Sequence, residues 1–133
     1  MLNLPTWEPS MSVGNNELDE QHARLLALAH RAAELEYLAD SSAVRQQIVG
    51  VLSDIGDLAR EHYAAEERIL ARNGFPDLVS HQSQHQAHLE VLTQLLHEVR
   101  RQGVYRAGFT RGVTDYVYYH VIRADMGCKA FLK

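Results

Sequence analysis

Seven side chains able to hold a metal are spread through the chain at spacings that helices can gather: His22, His62, Glu66, His81, His85, His120 and Asp125. His62 and Glu66 stand four residues apart, as do His81 and His85, so each pair shares one helical face. Asp125 follows His120 by five, a looser spacing that still falls about one turn on. Five imidazoles and two carboxylates are too many for one transition metal and suit two, with each carboxylate bridging both. Imidazole mixed with carboxylate favours iron, zinc or manganese over calcium or a soft metal. The chain has neither a cysteine cluster nor a His-Glu-x-x-His zinc-protease motif.

Taken singly, each histidine is weak evidence, because a lone His on an apolar helix face is more often a hydrogen-bonded core residue than a ligand. The joint pattern is different. His62, His81 and His85 interrupt stripes that otherwise face inward. Burying so many imidazoles and two carboxylates without compensation costs several kcal/mol per group, about the scale of a whole domain's stability. Metal coordination supplies that compensation. His88 lies on the same stripe as His81 and His85, and spacing alone admits it as a ligand. His30 and His97 fall off the relevant faces and read as solvated or supporting residues. Cys128 reads as a small buried residue rather than a reactive thiol. Tyr116 precedes His120 by four, so its ring should point into the metal region, and Tyr116, Val117 and Val121 are the candidate residues around the cofactor.

Four helical segments are expected to carry these groups. The first runs from about Glu17 to Leu38, with Leu25, Leu26, Leu28, Ala29, Ala32 and Leu35 near a 3.6-residue period. The second, about Ala43 to Asn73, follows an N-cap offered by Asp40-Ser41-Ser42, and Asn73-Gly74 stops it. The third spans about Asp77 to Arg101, ended by Gly103, and the fourth about Ala107 to Met126. Val113, Tyr116, Val117 and Val121 face inward on the fourth, whose start is weakened by Gly108 and Gly112. Short connections between amphipathic helices predict an all-α, antiparallel, up-down-up-down four-helix bundle with an irregular N-terminal arm packed down by Trp7.

Composition limits the alternatives. The 133 residues suit a single domain spanning 1–133, and 46% apolar content is enough for one core. A net charge of −4 without a Lys/Arg-rich tract argues against nucleic-acid binding. The single cysteine excludes an intrachain disulfide and fits a reducing compartment. No apolar run is long enough for a membrane span, and the opening residues Met1 to Trp7 lack the basic and apolar regions of a secretory leader. A cytoplasmic monomer is the expectation.

The pattern closely resembles the hemerythrin family, and among its members the single-domain bacteriohemerythrins. Ser12-Val-Gly14 with Leu18-Asp-Glu-Gln-His22 is similar to the opening motif, and His62-Tyr-Ala-Ala-Glu66-Glu67 to the His-x-x-x-Glu motif. Gly74-Phe-Pro-Asp-Leu-Val-Ser-His81-Gln-Ser-Gln-His85 is similar to the third, and His120-Val-Ile-Arg-Ala-Asp125 to the last. The resemblance implies one iron held by His81, His85 and His120 and a second held by His22 and His62. Glu66, Asp125 and an oxo or hydroxo group would bridge the two. It also implies an open position for dioxygen on the second iron, and that His88 is a packing residue. Tyr116 stands where an aromatic, often Trp, is common, Val121 where isoleucine is, and Met126 where a lysine often follows the bridging Asp.

The first expectation of function is therefore reversible dioxygen binding without enzymatic turnover, since a histidine-rich site favours that over the carboxylate-rich sites of di-iron oxidases. An alternative is a peroxidase or small-molecule oxidase at the same centre, which would need a substrate channel and an acid or base near the open iron. Another is a sensor or redox-responsive interaction module acting through an unidentified protein partner.

Overall fold

The computed structural model describes residues 6–38, 41–102 and 109–133, apart from the side chains of 101, 102, 109–111 and 120. The described residues are mainly helical with no strand, and four helical rods pack on one another as an all-α bundle. Helix α1 is Asn16–Glu36, α2 is Ser42–Arg72 and α3 is Leu78–Gln102. The fourth rod starts as α4, Phe109–Asp115, continues as a π-helical segment, Tyr116–Arg123, and closes as α5, Ala124–Gly127. The expected stop at Gly103 and start at Ala107 lie outside the described residues, as does Asp40.

Local chemistry sets the helix ends. The Asn15 side chain accepts the Leu18 N–H at 3.2 Å, and Glu17 and Asp19 place negative charge in the first turn of α1. Ser41 Oγ accepts the Val44 N–H at 3.1 Å and opens α2. At the other end of α2, Gly74 takes φ +72, while the Phe75 N–H returns to Leu70 O at 3.0 Å and the Gly74 N–H to Ala71 O at 3.3 Å. This pair of bonds is a Schellman closure, which satisfies carbonyls the helix would otherwise strand.

The arm is less irregular than its sequence suggests. Pro9–Met11 forms a 3-10 turn, and Asp19 accepts both the Ser12 hydroxyl at 2.6 Å and the Val13 N–H at 2.9 Å. Trp7 and Met11 pack against the main core as partly buried residues.

Two apolar clusters fill the interior. The larger runs along the bundle through Leu25, Ile48, Ile55, Tyr63, Leu92, Tyr116, Val117, Val121 and their neighbours. The smaller gathers Val13, Leu18, Ala65, Ile69, Leu70, Cys128 and Leu132 at the end where the C-terminal turn, Lys129–Phe131, folds back. Between the two, along each contributing rod, lie buried polar residues: Gln21 and His22 after Leu18, His62 and Glu66 around Tyr63 and Ala65, and Asp125 before Cys128. The candidate ligands thus form a polar layer with apolar packing on both sides.

The π-helical segment departs from the ordinary α-helix that the sequence suggests for the fourth rod. Its wider turn, with i→i+5 hydrogen bonding, puts positions five apart on one face. Tyr116 and Val121 are both buried, as are Val117 and Ile122. The same wide turn sets positions 120 and 125 one turn apart, which accounts for a spacing that is awkward on an ordinary α-helix.

Gly74→Ala tests the closure of α2. A Cβ there meets no atom within 4 Å, so the cost is that of the left-handed backbone alone. Denaturant unfolding should show a loss of about 1–2 kcal/mol; an unchanged midpoint would mean the turn relaxes freely.

Candidate metal centre

Four rods converge on the polar layer. α1 supplies His22, α2 supplies His62 and Glu66, α3 supplies His81 and His85, and α5 supplies Asp125. All six are buried, with Glu66 at 0% exposure and Asp125 at 1%. Asp125 Oδ2 lies 2.6 Å from His22 Nε2 and 2.6 Å from His62 Nε2. The two Nε2 atoms are 3.2 Å apart. Glu66 turns its Oε1 toward α3, in close contact with His81 Nε2 and 3.3 Å from His85 Nε2, and its Oε2 lies 3.3 Å from His62 Nε2. Each carboxylate therefore sits at a junction of imidazoles, Asp125 facing Nε2 of His22 and His62, and Glu66 facing Nε2 of His62, His81 and His85.

The side chain of His120 lies outside the described residues, so the layer is described with six of the seven predicted ligands. His88 takes no place among the carboxylates: its ring sits 6.5 Å from those of Tyr63 and Tyr116. His30 is half-buried and His97 exposed. Tyr116 is buried, as expected, but its hydroxyl lies 3.2 Å from that of Tyr63, whose ring stacks on His85 at 3.9 Å. Val117 and Val121 are buried in the larger apolar cluster, beside these tyrosines.

Three supporting residues escape a reading of ligand spacing. The His62 Nδ1–H donates to Gln21 Oε1 at 2.7 Å, and the His85 Nδ1–H donates to Glu67 Oε2 at 2.6 Å. Tyr63 covers the face of His85. A ligating histidine needs an acceptor for its second nitrogen, which fixes the tautomer and leaves Nε2 free for a metal. The signal available in the sequence is adjacency: Gln21 precedes His22 and Glu67 follows Glu66.

Electrostatics show what this layer lacks without a cation. Burial opposes the charged form of His62, yet Asp125 and Glu66 outweigh it and raise its pKa from 6.5 to about 9. His81 is raised too, chiefly by Glu66. Burial favours a neutral Glu66, but Asp125 and the imidazoles of His62, His81 and His85 hold its carboxyl far below the usual range. Asp125 goes the other way, raised by burial and then by Glu66 at its side, which His22 and His62 offset only in part. Two adjacent buried carboxylates do not both ionise without positive charge, so protons occupy the layer.

The residues fit a metal centre. Glu66 Oε2 and His22 Nδ1 are buried without a hydrogen-bond partner among the described residues. Donor atoms of His22, His62 and Asp125 lie within 4.8 Å of one another, as do those of Glu66, His81, Asp125 and Cys128. Asp125 belongs to both groups, as a bridging residue would.

Fold and site together define a helical bundle with a buried histidine–carboxylate cation site. Residues 13–123 match the hemerythrin HHE cation-binding domain, and the chain belongs to the hemerythrin family. The match ends before Asp125, whose part in the site is carried by its geometry. A hemerythrin-like protein of Naegleria gruberi is 33% identical over 79 residues, covering 59% of this chain and 58% of that protein. A bacteriohemerythrin of Stenotrophomonas maltophilia is 23% identical over 89 residues, covering 67% and 56%. One of Clostridium acetobutylicum is 24% identical over 87 residues, covering 63% and 65%. The chain thus spans less than two thirds of the length of these relatives. No solved structure matches it significantly.

Two outcomes follow. The folded pKa of His62 exceeds its unfolded value, so its contribution to metal-free stability is full below pH 6.5 and is lost as pH rises through about 9. Urea unfolding of the metal-free protein should show stability falling across that window, and a flat or rising profile would contradict the charge arrangement. Gln21→Ala and Glu67→Ala should each weaken metal binding about 10–100-fold while helicity is kept, as read by competition with a chelator.

Proposed function

We propose that this chain binds dioxygen reversibly, without turnover, at a non-haem di-iron centre. His81, His85 and His120 would hold one iron, His22 and His62 the other, and Glu66 and Asp125 would bridge them with an oxo or hydroxo group. The observation that carries this reading is the double junction: Asp125 Oδ2 stands 2.6 Å from two imidazoles of α1 and α2, while Glu66 faces α2 on one oxygen and α3 on the other. When bound, an iron pair would supply two redox electrons and a place for a diatomic ligand to bind.

The chain's own residues do the remaining work. Gln21 and Glu67 orient His62 and His85 by holding their Nδ1 protons. The apolar clusters on either side of the layer keep water from it, and excluding water protects a reduced metal from proton-driven oxidation. Tyr63 covers the face of His85 and shares a hydroxyl hydrogen bond with Tyr116. The preponderance of imidazole over carboxylate favours binding over oxidative turnover. Among the described residues no helix is long and apolar enough to cross a membrane, and a cytoplasmic setting is part of the same proposal.

Optical spectra of the iron-loaded protein provide the test, taken in the ferrous form under nitrogen, after adding oxygen, and after removing it. A new absorption band that disappears when oxygen is removed is expected; oxidation with no reversible band would sink the carrier reading, and sustained turnover of peroxide with a reducing co-substrate would favour a peroxidase. Iron content should be about two per chain, as one pair of bridging carboxylates makes the sites interdependent. Glu66→Ala and Asp125→Ala should lose both irons together, and a folded variant retaining full iron would remove that residue from the bridge.

A further inference from the structure

Cys128 packs in the smaller apolar cluster, yet its sulfur is also at the edge of the metal layer. Its Sγ, a carboxylate oxygen each of Glu66 and Asp125, and a ring nitrogen of His81 lie within 4.8 Å of one another. All four residues are buried. Cys128 caps α5 three residues after Asp125, with its N–H on Asp125 O at 3.1 Å, which sets the two side chains on one face. Among the described residues the thiol's hydrogen bonds are long, 3.5 Å to Asp125 O and 3.8 Å to Ala124 O. A second observation points to a ligand at the same place: Glu66 Oε2 is fully buried and makes no well-formed hydrogen bond among the described residues, its contact with His62 Nε2 being long at 3.3 Å.

We propose that Cys128 is a sulfur donor to the metal centre, completing with His81, Glu66 and Asp125 a mixed sulfur, nitrogen and oxygen site for a divalent ion of the zinc class. The inference deepens the metal-centre reading and rests on Glu66, His81 and Asp125 being metal donors. Four donors of this kind suit tetrahedral zinc, whose usual ligands are thiolate, imidazole and carboxylate. On coordination the S–H bond breaks, a sulfur–metal bond forms, and the proton leaves to solvent; no electron is transferred. Because Glu66 and Asp125 serve both arrangements, an ion seated on Cys128 would compete with the iron pair. The same chain would then hold either centre according to which metal reaches it.

Cobalt(II), a coloured substitute for zinc, tests this in the metal-free full chain under anaerobic conditions. The expected result is a sulfur-to-cobalt charge-transfer band in the near ultraviolet together with visible bands of bound cobalt. Since Cys128 is the chain's one cysteine, the band in the unaltered protein identifies its donor. Cys128→Ser should abolish the near-ultraviolet band and keep the visible ones; should that variant fold poorly, Cys128→Ala and the unaltered protein carry the decision. Cobalt bound without the band, no cobalt bound at all, or a band surviving in Cys128→Ser would overturn the proposal. Iron loading of the same proteins separates the two readings. Reversible oxygen spectra without a cobalt–sulfur band strike out the thiolate alone, whereas the band without reversible oxygen spectra strikes out oxygen carriage and leaves Cys128 a ligand.

Discussion

Two carboxylates, Glu66 and Asp125, are buried against imidazoles in a layer with apolar clusters on either side, and the rest of the bundle is arranged to hold them there. An ionised carboxylate taken out of water costs several kcal/mol unless it is paired and hydrogen-bonded. Pairing here cannot come from one neighbour on the same helix, because each carboxylate meets rings from different rods: α1 and α2 at Asp125, α2 and α3 at Glu66. The polar contacts therefore fix the relative register of the rods as well as the site. Slipping any rod by one turn would leave an acceptor or a ring buried without its partner.

That coupling explains what the sequence discloses. Polar residues recurring at helical spacing inside apolar stripes have few solutions other than mutual ligation, so His22, His62, Glu66, His81, His85, His120 and Asp125 stand out from residue type and spacing. Helix ends are legible for a similar reason, as Ser41 and Gly74 have one strong local use each. Gln21, Glu67 and Tyr63 are different. A Gln beside a His, or a second Glu after the first, also suits an exposed helix face, and only the packing of α1 and α3 on α2 shows that these residues seat ring nitrogens or cover a ring. Cys128 reads as packing because its relation to His81 is made by the turn after α5, which periodicity does not report.

The π-helical stretch is the clearest case of tertiary demand overriding local preference. No residue in Tyr116–Arg123 forbids an ordinary α-helix, and bonds of the i→i+5 type are rarely adopted without cause. The buried residues of the rod show the cause. Tyr116 with Val117, then Val121 with Ile122, then Asp125 must all face inward. A 3.6-residue turn would rotate the later members away, whereas the wider turn keeps them on the core while Asp125 enters the layer between His22 and His62. Regular backbone geometry gives way at this rod because the position of the carboxylate is the stronger constraint.

The same constraint links folding to metal uptake. Without a cation, the layer is neutralised by protons: His62 holds one well above the ordinary histidine range, and Asp125 is pushed toward its neutral form beside an ionised Glu66. Protons and metal therefore occupy equivalent electrostatic roles and exclude one another, since Nε2 cannot carry both. Loading must release protons, and it strengthens as pH rises over the window in which the metal-free bundle weakens. The charges that impose the bundle's register are satisfied only in part by protons, so a bound cation would add to its stability. The buried polar layer is thus where protons balance the charge of the empty bundle and where a bound cation would take their place.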